Sequence, residues 1–598
     1  MPDWLSKTAY YSLATLPILT ILSLTACSTD SGDRTKPSAL YCDEKHSTWS
    51  ALVEGKRISA QGVVHGAFQG DNELGGFFVQ GFDHDQGLFV VSPKSDWKAE
   101  EGQWLNIRGE LRPYYGGWKV AGDVAVNYCG DKPTRTRNLS LPLLAEESLN
   151  DYLFQRVELK QDMVVIGNYD LHRYGTLDIA TERLYVPTQV ELPGEHANNR
   201  SAYNSARRLV LDDRSWQEYP NQVVYPNGQL SMQNPVRSGD TVNNLEGILV
   251  KVGERFHLHP VTTPKFFSTN PRPEAPALAS GDLRIASFNV LNYFNGDGQG
   301  GGFPTARGAA TEEEFYRQRA KTISAMAHMD ADIYALMEME NDGFSAHSAL
   351  ADLTQGLNEQ VEGEPFEFLR ADASGIGSDA ITQAFIYRAD VVMPMGDLTW
   401  TEEGPFSWGS RPPLLQNFRV LSSNKEVALI ANHFKSKGGC PRRDDDPNAN
   451  QGDGQACWNS HRVEAAAALT GWLRSNPKSL HHQNWILLGD FNAYQQEDPM
   501  RLLLDEGYKN VAFEFAPEGA SYVFRGESGS LDHILVHESI YQAVVDMAYW
   551  HINADEPIAF EYPLKNRNEW QQEHFYTPKS YRSSDHDPVV IVVDSAKL

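Results

Sequence analysis

The hydrophobic pattern in the first half of the chain predicts β structure. Within residues 42–130, short apolar stretches are separated by Gly, Asp and Asn, which is typical of an all-β barrel or sandwich. These stretches are Ile58–Val64, Gly76–Gln80, Gly87–Val91, Gln103–Leu111 and Trp118–Val126. Residues 138–267 repeat this character and predict a second β-rich domain, with strands at Arg156–Leu159, Met163–Ile166, Gly175–Ile179, Arg208–Leu211, Asp240–Val250 and Arg255–His259.

The pattern changes after residues 268–280, where the stretch Asn-Pro-Arg-Pro-Glu-Ala-Pro predicts a Pro-rich linker. Over residues 281–598 apolar strands alternate with amphipathic helices, which predicts an α/β domain. The predicted elements are Leu283–Phe288, Thr311–Met329, Asp332–Met337, Ser348–Gln360, Thr382–Tyr387, Val427–Ala431, Ser460–Ser475, Trp485–Gly489, Leu531–Val536 and Val589–Val593.

The stretch Trp485–Tyr494 is the most informative of these. Its apolar residues run without alternation, as in a strand buried on both faces. Asp490 and Asn492 follow two residues apart, and this spacing places both side chains on one side of an extended chain. Open α/β folds build active sites at the carboxyl ends of such strands. The alternative is an ordinary Asp-Asn turn, since both residues favour turns.

The N-terminus predicts export. Residues 13–26 are mostly apolar, but a membrane-spanning helix needs roughly 20 apolar residues, so a signal peptide is the better interpretation. The ending Leu-Thr-Ala-Cys resembles a bacterial lipobox, so residues 1–27 are a lipoprotein signal peptide together with Cys27, which would become the lipidated first mature residue. A simple cleaved signal with an incidental cysteine is the alternative. Residues 28–41 are then a flexible tether. The resemblance implies an outer-membrane lipoprotein of the cell envelope, either periplasmic or surface-exposed.

The cysteine count agrees with export. If Cys27 carries lipid, four cysteines remain, and exported chains can keep disulfides. Cys42 and Cys129 bracket one segment and Cys440 and Cys457 bracket another, so we predict the pairs Cys42–Cys129 and Cys440–Cys457, although four cysteines allow three pairings. The formal charge of -27 would repel nucleic acid at long range. This argues against high-affinity, groove-covering binding but not against an enzyme whose site holds cations.

Polar residues follow or precede several strands of the α/β region. They are Asn289, Glu338, His433, Asp490, Asn492, Asp532, Asp585 and His586. In this order the segments resemble the endonuclease/exonuclease/phosphatase superfamily, which includes DNase I-like nucleases, over about residues 281–595. Asn289–Phe294, Asn432–Gly439 and Ser584–Pro588 more closely resemble the bacterial extracellular nuclease group. Gly-Gly-Phe-Phe-Val-Gln at 75–80 resembles the OB-like domain that precedes such nuclease domains.

The resemblance implies a multidomain protein in which N-terminal β-rich OB-like domains precede an α/β four-layer sandwich of the DNase I type. It also implies that Glu338, Asn289 and Asp585 bind Mg²⁺ or Mn²⁺, which prefer oxygen ligands. His586 would be the general base and Asp532 would orient it. Asp490 would position the nucleophile or bind a second metal.

Further residues are predicted around this centre. Asn492 and His433 would donate hydrogen bonds to phosphate oxygens. The side chains of Lys435, Lys437 and Arg307 are predicted to contact substrate phosphates. In addition, Asp446, Asn448 and Asn450 alternate as calcium ligands can, although the glycine is misplaced for an EF-hand. A structural Ca²⁺ is therefore an open alternative there.

Together these features predict an exported, lipid-anchored, metal-dependent nuclease. It would hydrolyse phosphodiester bonds of extracellular DNA, with RNA as an open alternative, and with little sequence specificity because no recognition helix is apparent. The alternative is a phosphodiesterase or phosphatase of the same superfamily that acts on lipid headgroups or small phosphate esters, which the acidic balance favours. A non-catalytic binding protein would not need the complete polar set. No protein partner is predicted.

Overall fold

The computed structural model describes residues 42, 53–81, 86–94, 97–363 and 365–598. The predicted signal peptide, the lipidation residue Cys27 and the tether lie outside these residues. Among the helices of the described residues, none has the length and apolar character needed to cross a membrane.

Five strands form a closed barrel at the start of the described chain. Neighbours in the barrel follow the order β1-β2-β3-β5-β4, and β4 and β5 form an antiparallel pair. The strands are β1 (Arg57–Phe68), β2 (Gly76–Gln80), β3 (Gly87–Val91), β4 (Gln103–Tyr114) and β5 (Gly117–Asp131). Alternating residues such as Val64, Leu105 and Ile107 fill the interior. The predicted disulfide Cys42–Cys129 is present and ties the chain before β1 to β5.

The next region is a nine-stranded sheet with the order β14-β11-β8-β9-β10-β13-β12-β7-β6. Its strands are β6 (Arg137–Leu139), β7 (Arg156–Leu159), β8 (Met163–Gly167), β9 (Leu177–Ala180), β10 (Arg208–Leu211), β11 (Thr241–Asn243), β12 (Leu245–Val252), β13 (Arg255–Pro260) and β14 (Lys265–Phe267). Three helices interrupt them, namely α1 (Leu171–Tyr174), α2 (Pro187–Val190) and α3 (Glu195–Ser205).

Two details of this sheet differ from the prediction. The single strand expected over Asp240–Val250 is divided into β11 and β12, because Asn244 between them adopts a left-handed backbone conformation with φ 58°. The two halves pair with different neighbours: β11 with β8 and β14, and β12 with β7 and β13. The strand predicted over Gly175–Ile179 begins only at Leu177, since Gly175 ends helix α1 with φ 67°.

The barrel packs directly on the nine-stranded sheet. Their contact is a buried cluster of Phe68, Leu74, Phe78, Phe89, Phe154, Ile248 and Val250. Fully burying a side chain of this kind stabilises a protein by roughly 1.5–3 kcal/mol, so the cluster holds the two units together. Phe68 and Phe77 are both fully buried and belong to hydrophobic cores, so neither ring is accessible to a nucleobase.

The C-terminal region contains two six-stranded sheets, with the orders β17-β18-β16-β15-β28-β27 (the first sheet) and β19-β20-β21-β22-β26-β23 (the second sheet), and a β24-β25 hairpin. The strands are β15 (Leu283–Tyr293), β16 (Ile333–Glu340), β17 (Phe366–Phe368), β18 (Ile381–Arg388), β19 (Val392–Trp400), β20 (Arg411–Val420), β21 (Lys425–His433), β22 (Trp485–Asp490), β23 (Tyr508–Asn510), β24 (Tyr522–Phe524), β25 (Glu527–Gly529), β26 (Asp532–His537), β27 (Val544–Tyr549) and β28 (Val589–Val593).

The described residues of this region also include six α-helices, four of which cover the outer faces of the two sheets. They are α4 (Glu312–Met329), α5 (Ala349–Gln360), α6 (Asn459–Arg474), α7 (Asp498–Asp505), α8 (Ala512–Phe515) and α9 (Glu569–His574). The largest core lies between the two sheets and contains Ile285, Leu429 and Leu488. Helices α4 and α5 pack on the first sheet, and α6 and α7 pack on the second. The helices predicted over Thr311–Met329 and Ser348–Gln360 are present, and Thr311 and Ser348 are their N-caps.

Candidate active site

The predicted site residues meet at one edge shared by the two sheets. Strands β15 and β16 run parallel in the first sheet, and β21 and β22 run parallel in the second, so their polar ends face the same side. Strands β26 and β28 run antiparallel to these neighbours, so their first residues arrive at the same edge. The strand-end residues predicted from the sequence are thereby brought together.

Glu338 leaves the regular strand pattern. Its backbone is left-handed, with φ 65°, and the pairing of β16 with β18 is irregular between Leu336 and Met339. Such a conformation costs roughly 1–3 kcal/mol in a residue other than glycine and persists only where its surroundings hold it. Here the Asn292 backbone N–H donates to Glu338 Oε2 at 3.0 Å, and Asn289 Nδ2 lies 3.3 Å from Oε1.

Asn289 connects two carboxylates. Its Nδ2 lies 3.3 Å from Glu338 Oε1 and 3.3 Å from Asp490 Oδ2, while its Oδ1 accepts the Leu291 backbone N–H at 3.1 Å. The amide nitrogen therefore faces the carboxylates. In this arrangement Asn289 orients Glu338 and Asp490 by hydrogen bonds, and its role as a metal ligand stays a prediction.

Burial and like charge raise the pKa values of two carboxylates of this site. Burial, followed by the charge of Asp585, raises the pKa of Glu338. Burial also raises the pKa of Asp490 to about 7, with His586 opposing the shift. Glu338 and Asp585 remain partly exposed to solvent. This set of close, repelling oxygen donors fits a divalent cation, which Glu338 and Asp585 would hold.

His586 and Asp532 form a buried pair. His586 Nδ1 lies 2.7 Å from Asp532 Oδ2, and both side chains are almost fully buried. Burial by itself lowers the pKa of His586, but the charges of Asp532 and Asp585 outweigh it, so that the pKa lies well above its ordinary value. Asp490, Asp532 and His586 each present a ligand atom within 4.8 Å of the others. The arrangement fixes the imidazole with Nδ1 toward Asp532.

His433 and Asn492 lie on the Asp490 side of the site. His433 Nε2 is 3.5 Å from Asp490 Oδ2, and burial, Arg411 and His586 hold the pKa of His433 well below its ordinary value. The imidazole is therefore neutral. Asn492 is left-handed, with φ 49°; its backbone N–H donates to Asp490 Oδ1 at 2.8 Å and its Nδ2 donates to the Phe434 carbonyl at 3.1 Å.

Two arginines line the rim on the His433 side. Arg307 and Arg411 share Asp379, at 2.7 Å and 3.1 Å, and the charges of both lower the pKa of His433. Arg307 thus lies near His433, and its contact with substrate phosphates stays a prediction. Arg411 was missed, since it is the partner of His433 in the register of β20 and β21, and this relation exists only once the strands pair.

The two predicted lysines have different surroundings. Lys437 Nζ lies 2.6 Å from Oε1 of the fully buried Glu497, so its charge stabilises the fold. This corrects the prediction that Lys437 contacts substrate. Lys435 is partly exposed; burial, Arg411 and Arg462 lower its pKa to about 8. Lys435 Nζ donates to the Ser436 carbonyl at 3.0 Å and to Ser436 Oγ and the Gly438 carbonyl at 3.2 Å. These partners are uncharged, so the charge of Lys435 can still act on an anion, whereas the charge of Lys437 is matched by that of Glu497.

The loop between Cys440 and Cys457 contains the second predicted disulfide. The residues considered for calcium serve the loop itself: Asp446 Oδ1 accepts the Asn448 N–H at 2.8 Å, Asn448 Oδ1 accepts the His461 N–H at 2.9 Å, and Asn450 Oδ1 accepts the Gly452 N–H at 3.0 Å. These bonds account for the alternation of Asp and Asn, so the structure does not favour a calcium site there.

Residues outside the predicted set also support His586. The Tyr522 ring centroid lies 4.8 Å from that of His586. Asn553 Nδ2 donates to the His586 carbonyl at 2.7 Å, and the Asn553 backbone N–H donates to Asp587 Oδ1 at 2.7 Å. The sequence contained no signal for these contacts, because they join segments that are distant in the chain.

The nine-stranded sheet region also helps to hold the segments around His586 in place. Ser528, in the hairpin that carries Tyr522, exchanges backbone hydrogen bonds with Leu184 and Val186 at 2.8 Å and 2.9 Å. Arg183 donates to Ser528 Oγ at 3.1 Å and pairs with Asp555 at 2.9 Å. One guanidinium therefore joins the hairpin before Asp532 to the loop that contacts His586.

A model of the Endonuclease/Exonuclease/phosphatase family matches residues 286–586. Among curated proteins, none matches this chain. Similar solved structures include an endonuclease/exonuclease/phosphatase family protein from Bacteroides thetaiotaomicron (19% identity, 53% of this chain and 97% of that chain, TM-score 0.33) and a mannosyl-6-phosphatase from the same organism (18%, 52% and 98%, TM-score 0.33). D. rerio TDP2 complexed with single strand DNA product is also similar (14%, 52% and 97%, TM-score 0.30). On the match of the family model, this chain belongs to the endonuclease/exonuclease/phosphatase family, whose members are hydrolases of phosphoester bonds.

Proposed function

We propose that this protein is a metal-dependent nuclease that hydrolyses phosphodiester bonds of extracellular DNA with little sequence specificity. The observation that carries the proposal is the His586–Asp532 pair, at 2.7 Å, facing the carboxylates of Glu338, Asp490 and Asp585. Such a site combines a proton acceptor with an oxygen-rich cation site, which are the two components that phosphodiester hydrolysis by water requires.

The chain's own residues have distinct roles in this proposal. The charge of Asp585 is one of those that raise the pKa of His586, and it would be offset by a cation that Asp585 holds together with Glu338. The neutral imidazole then accepts the proton of the attacking water at Nε2, and Asp532 stabilises the resulting imidazolium. Asp490 orients the water. A bound divalent cation would polarise the phosphate and offset the carboxylate charge. Neutral His433 and the remaining amide hydrogen of Asn492 donate to the phosphate oxygens as negative charge develops.

The cationic rim supports a polyanionic substrate despite the formal charge of -27. Arg307, Arg411 and Lys435 lie on the His433 side and would contact phosphates that flank the scissile bond. These contacts are independent of base identity, which supports low sequence specificity. RNA presents the same phosphates and is an additional proposed substrate.

The location and the finer architecture are part of the same proposal. Lipid on Cys27 would anchor the protein in the outer membrane. Metabolic labelling with palmitate tests this, and the label should be lost in Cys27→Ser.

We assign the five-stranded barrel as an OB-like domain and the two helix-covered sheets as a four-layer sandwich of the DNase I type. The burial of Phe68 and Phe77 supports a structural role for the barrel.

The second candidate is a phosphodiesterase or phosphatase of small esters, which the acidic net charge favours. The two functions are distinguished by the hydrolysis rates of the wild-type protein on three substrates, namely closed circular DNA, glycerophosphocholine and p-nitrophenyl phosphate. The proposal predicts cleavage of DNA. If the protein hydrolyses glycerophosphocholine or p-nitrophenyl phosphate but leaves DNA intact, the nuclease proposal is wrong and the second candidate is favoured.

A further inference from the structure

Trp408 is one of the most exposed large hydrophobic residues of the described chain, with 59% of its surface accessible. It lies between the 3₁₀ helix Gly404–Ser407 and strand β20. Its ring centroid is 5.4 Å from that of Trp458, which is partly exposed, at an interplanar angle of 59°. We call Trp408 and Trp458 the tryptophan platform. An exposed pair of this kind requires an explanation beyond the core, because aromatic side chains of this size are normally buried.

The tryptophan platform is held in place. Trp458 Nε1 donates to the carbonyls of Gly438 and Gly439 at 3.1 Å and 3.0 Å. The ring of His461 contacts Trp408 edge to face, with centroids 5.8 Å apart and planes at 90°. These contacts fix both rings before any ligand arrives, so that little conformational entropy is lost on binding.

The backbone beside Trp408 adds to this rigidity. Gly409 is left-handed, with φ +84°, and a Cβ atom at this position would lie 3.0 Å from His461 Nε2 and 3.3 Å from Lys435 Cδ. The residue is therefore a glycine for two reasons, namely its backbone conformation and the close approach of these side chains. The loop that carries Trp408 is packed tightly on the segment that carries Lys435.

The platform borders the candidate active site. Trp408 precedes Arg411 by three residues, a distance of at most about 11 Å along the chain, and Arg411 pairs with His433 in the sheet. The Lys435 backbone N–H donates to Ser410 Oγ at 3.1 Å, and Lys435 Nζ lies 5.0 Å from the centroid of the Trp458 ring. Cations thus occupy the space between the platform and His433.

Aromatic rings next to cations form the combination that binds nucleic acid strands, because bases stack on the rings while cations contact the phosphates. We infer that Trp408 stacks with one nucleobase of the substrate close to the scissile phosphate. Lys435 contacts the backbone phosphate that lies between this nucleobase and the scissile phosphate. The inference rests on the proposed nuclease function and specifies its substrate. A base can stack on Trp408 only when it has left the duplex, so single strands and locally opened strands are the preferred substrates.

The test compares Trp408→Ala, Trp408→Phe and the wild-type protein on a single-stranded oligonucleotide. Phe513→Ala is the control, as Phe513 is another exposed aromatic residue. A stacking interaction predicts that Trp408→Ala raises KM for the oligonucleotide by about 5- to 160-fold, and that Trp408→Phe restores most of the affinity. Phe513→Ala should leave KM unchanged.

Two further substrates make the result specific. Methyl p-nitrophenyl phosphate is a diester without a base, and its rate should be the same for Trp408→Ala and wild type, which also shows that the variant is folded. In oligonucleotides with one abasic residue, the difference between the two proteins should vanish when that residue occupies the stacked position.

An unchanged KM of Trp408→Ala on the oligonucleotide that the wild type cleaves would overturn the stacking site alone. An equal loss of activity on the small diester would also overturn it, because the effect would then not depend on a base. Failure of the wild type to cleave any oligonucleotide while it cleaves the small diester would instead overturn the nuclease function, and the stacking site with it.

Discussion

Arg183 pairs with Asp555 at 2.9 Å, and this contact joins the nine-stranded sheet region to the candidate active site. Asp555 is almost fully buried and also accepts a hydrogen bond from Asn270 at 2.8 Å. The neighbouring Asn553 bonds the backbone of His586, and Arg183 also reaches Ser528 in the hairpin before Asp532. The nine-stranded sheet region therefore helps to position both members of the His586–Asp532 pair.

We expect Arg183→Met to lower kcat with little change in KM, because the loop behind His586 loses a fixed attachment while the cationic rim is untouched. The free energy of unfolding should fall by roughly 1–3 kcal/mol, since a buried carboxylate loses a charged partner. Urea unfolding and steady-state kinetics measure both effects. Arg183→Lys should recover part of kcat.

Arg112→Met is the matched control for that experiment. Arg112 pairs with Glu110 at 3.1 Å on the surface of the barrel, and both side chains are exposed. Surface ion pairs contribute little to stability. A loss of stability or of kcat in Arg112→Met equal to that in Arg183→Met would contradict a positioning role for Arg183.

The two lysines near His433 should respond differently to substitution. Lys437→Met leaves the buried Glu497 without its closest cation, so the free energy of unfolding should fall by roughly 3–5 kcal/mol. Lys435→Met should instead raise KM for DNA and leave stability nearly unchanged. Thermal unfolding and steady-state kinetics of both variants are the measurements. Equal effects of the two substitutions on KM would restore the original prediction for Lys437.

Individual residues show which parts of the site the sequence could predict. Asp490 was predictable, since it ends an apolar strand and such strand ends build active sites in α/β folds. His586 precedes strand β28, and its role was predicted from the resemblance of Ser584–Pro588 to the family. Lys437 lies in the expected segment, but the sequence does not reveal that its side chain points toward Glu497. Arg183 and Arg411 could not be found, because their partners are set by tertiary packing and by strand register.

The fold shows the same division. Buried strands such as Trp485–Asp490 and capped helices such as α4 carry local signals, namely a continuous apolar run and an N-cap threonine. The break at Asn244 has no such signal, because a single left-handed residue interrupts an otherwise continuous strand pattern. Helix α3 was also missed, since its sequence is polar and lacks an apolar stripe.

Acid should weaken the contact between the barrel and the nine-stranded sheet through His65. Burial lowers the pKa of His65 to about 4, from 6.5. Between these values the unfolded chain binds a proton that the folded protein does not, so this contribution to stability is complete above pH 6.5 and decreases as pH falls toward 4. At pH 5 the loss should be about 2 kcal/mol.

Urea unfolding of the wild type and His65→Gln at pH 7 and pH 5 measures this contribution. The variant should lose about 2 kcal/mol less than the wild type over the same interval, because the substituted side chain does not titrate. The same loss in both proteins would show that other groups cause the acid sensitivity.

Divalent cations should stabilise the protein independently of catalysis. A ligand that binds only the folded state raises the melting temperature, and a cation near Glu338 and Asp585 also relieves their repulsion. We expect Mg²⁺ or Mn²⁺ to raise the melting temperature of the wild type and EDTA to reverse the shift. In Glu338→Gln the shift should be strongly reduced; an undiminished shift would place the cation elsewhere.

The most direct test of the central claim is nicking of closed circular DNA by the wild type and by His586→Ala, with Mg²⁺ or with EDTA. His481→Ala, a substitution of an exposed histidine outside the site, is the control. We predict nicking by the wild type and the control in Mg²⁺ only, and a rate about 10²–10⁴-fold lower in His586→Ala. Nicking that persists in EDTA, or that is equally fast in His586→Ala, would contradict a metal-dependent nuclease with His586 as its base.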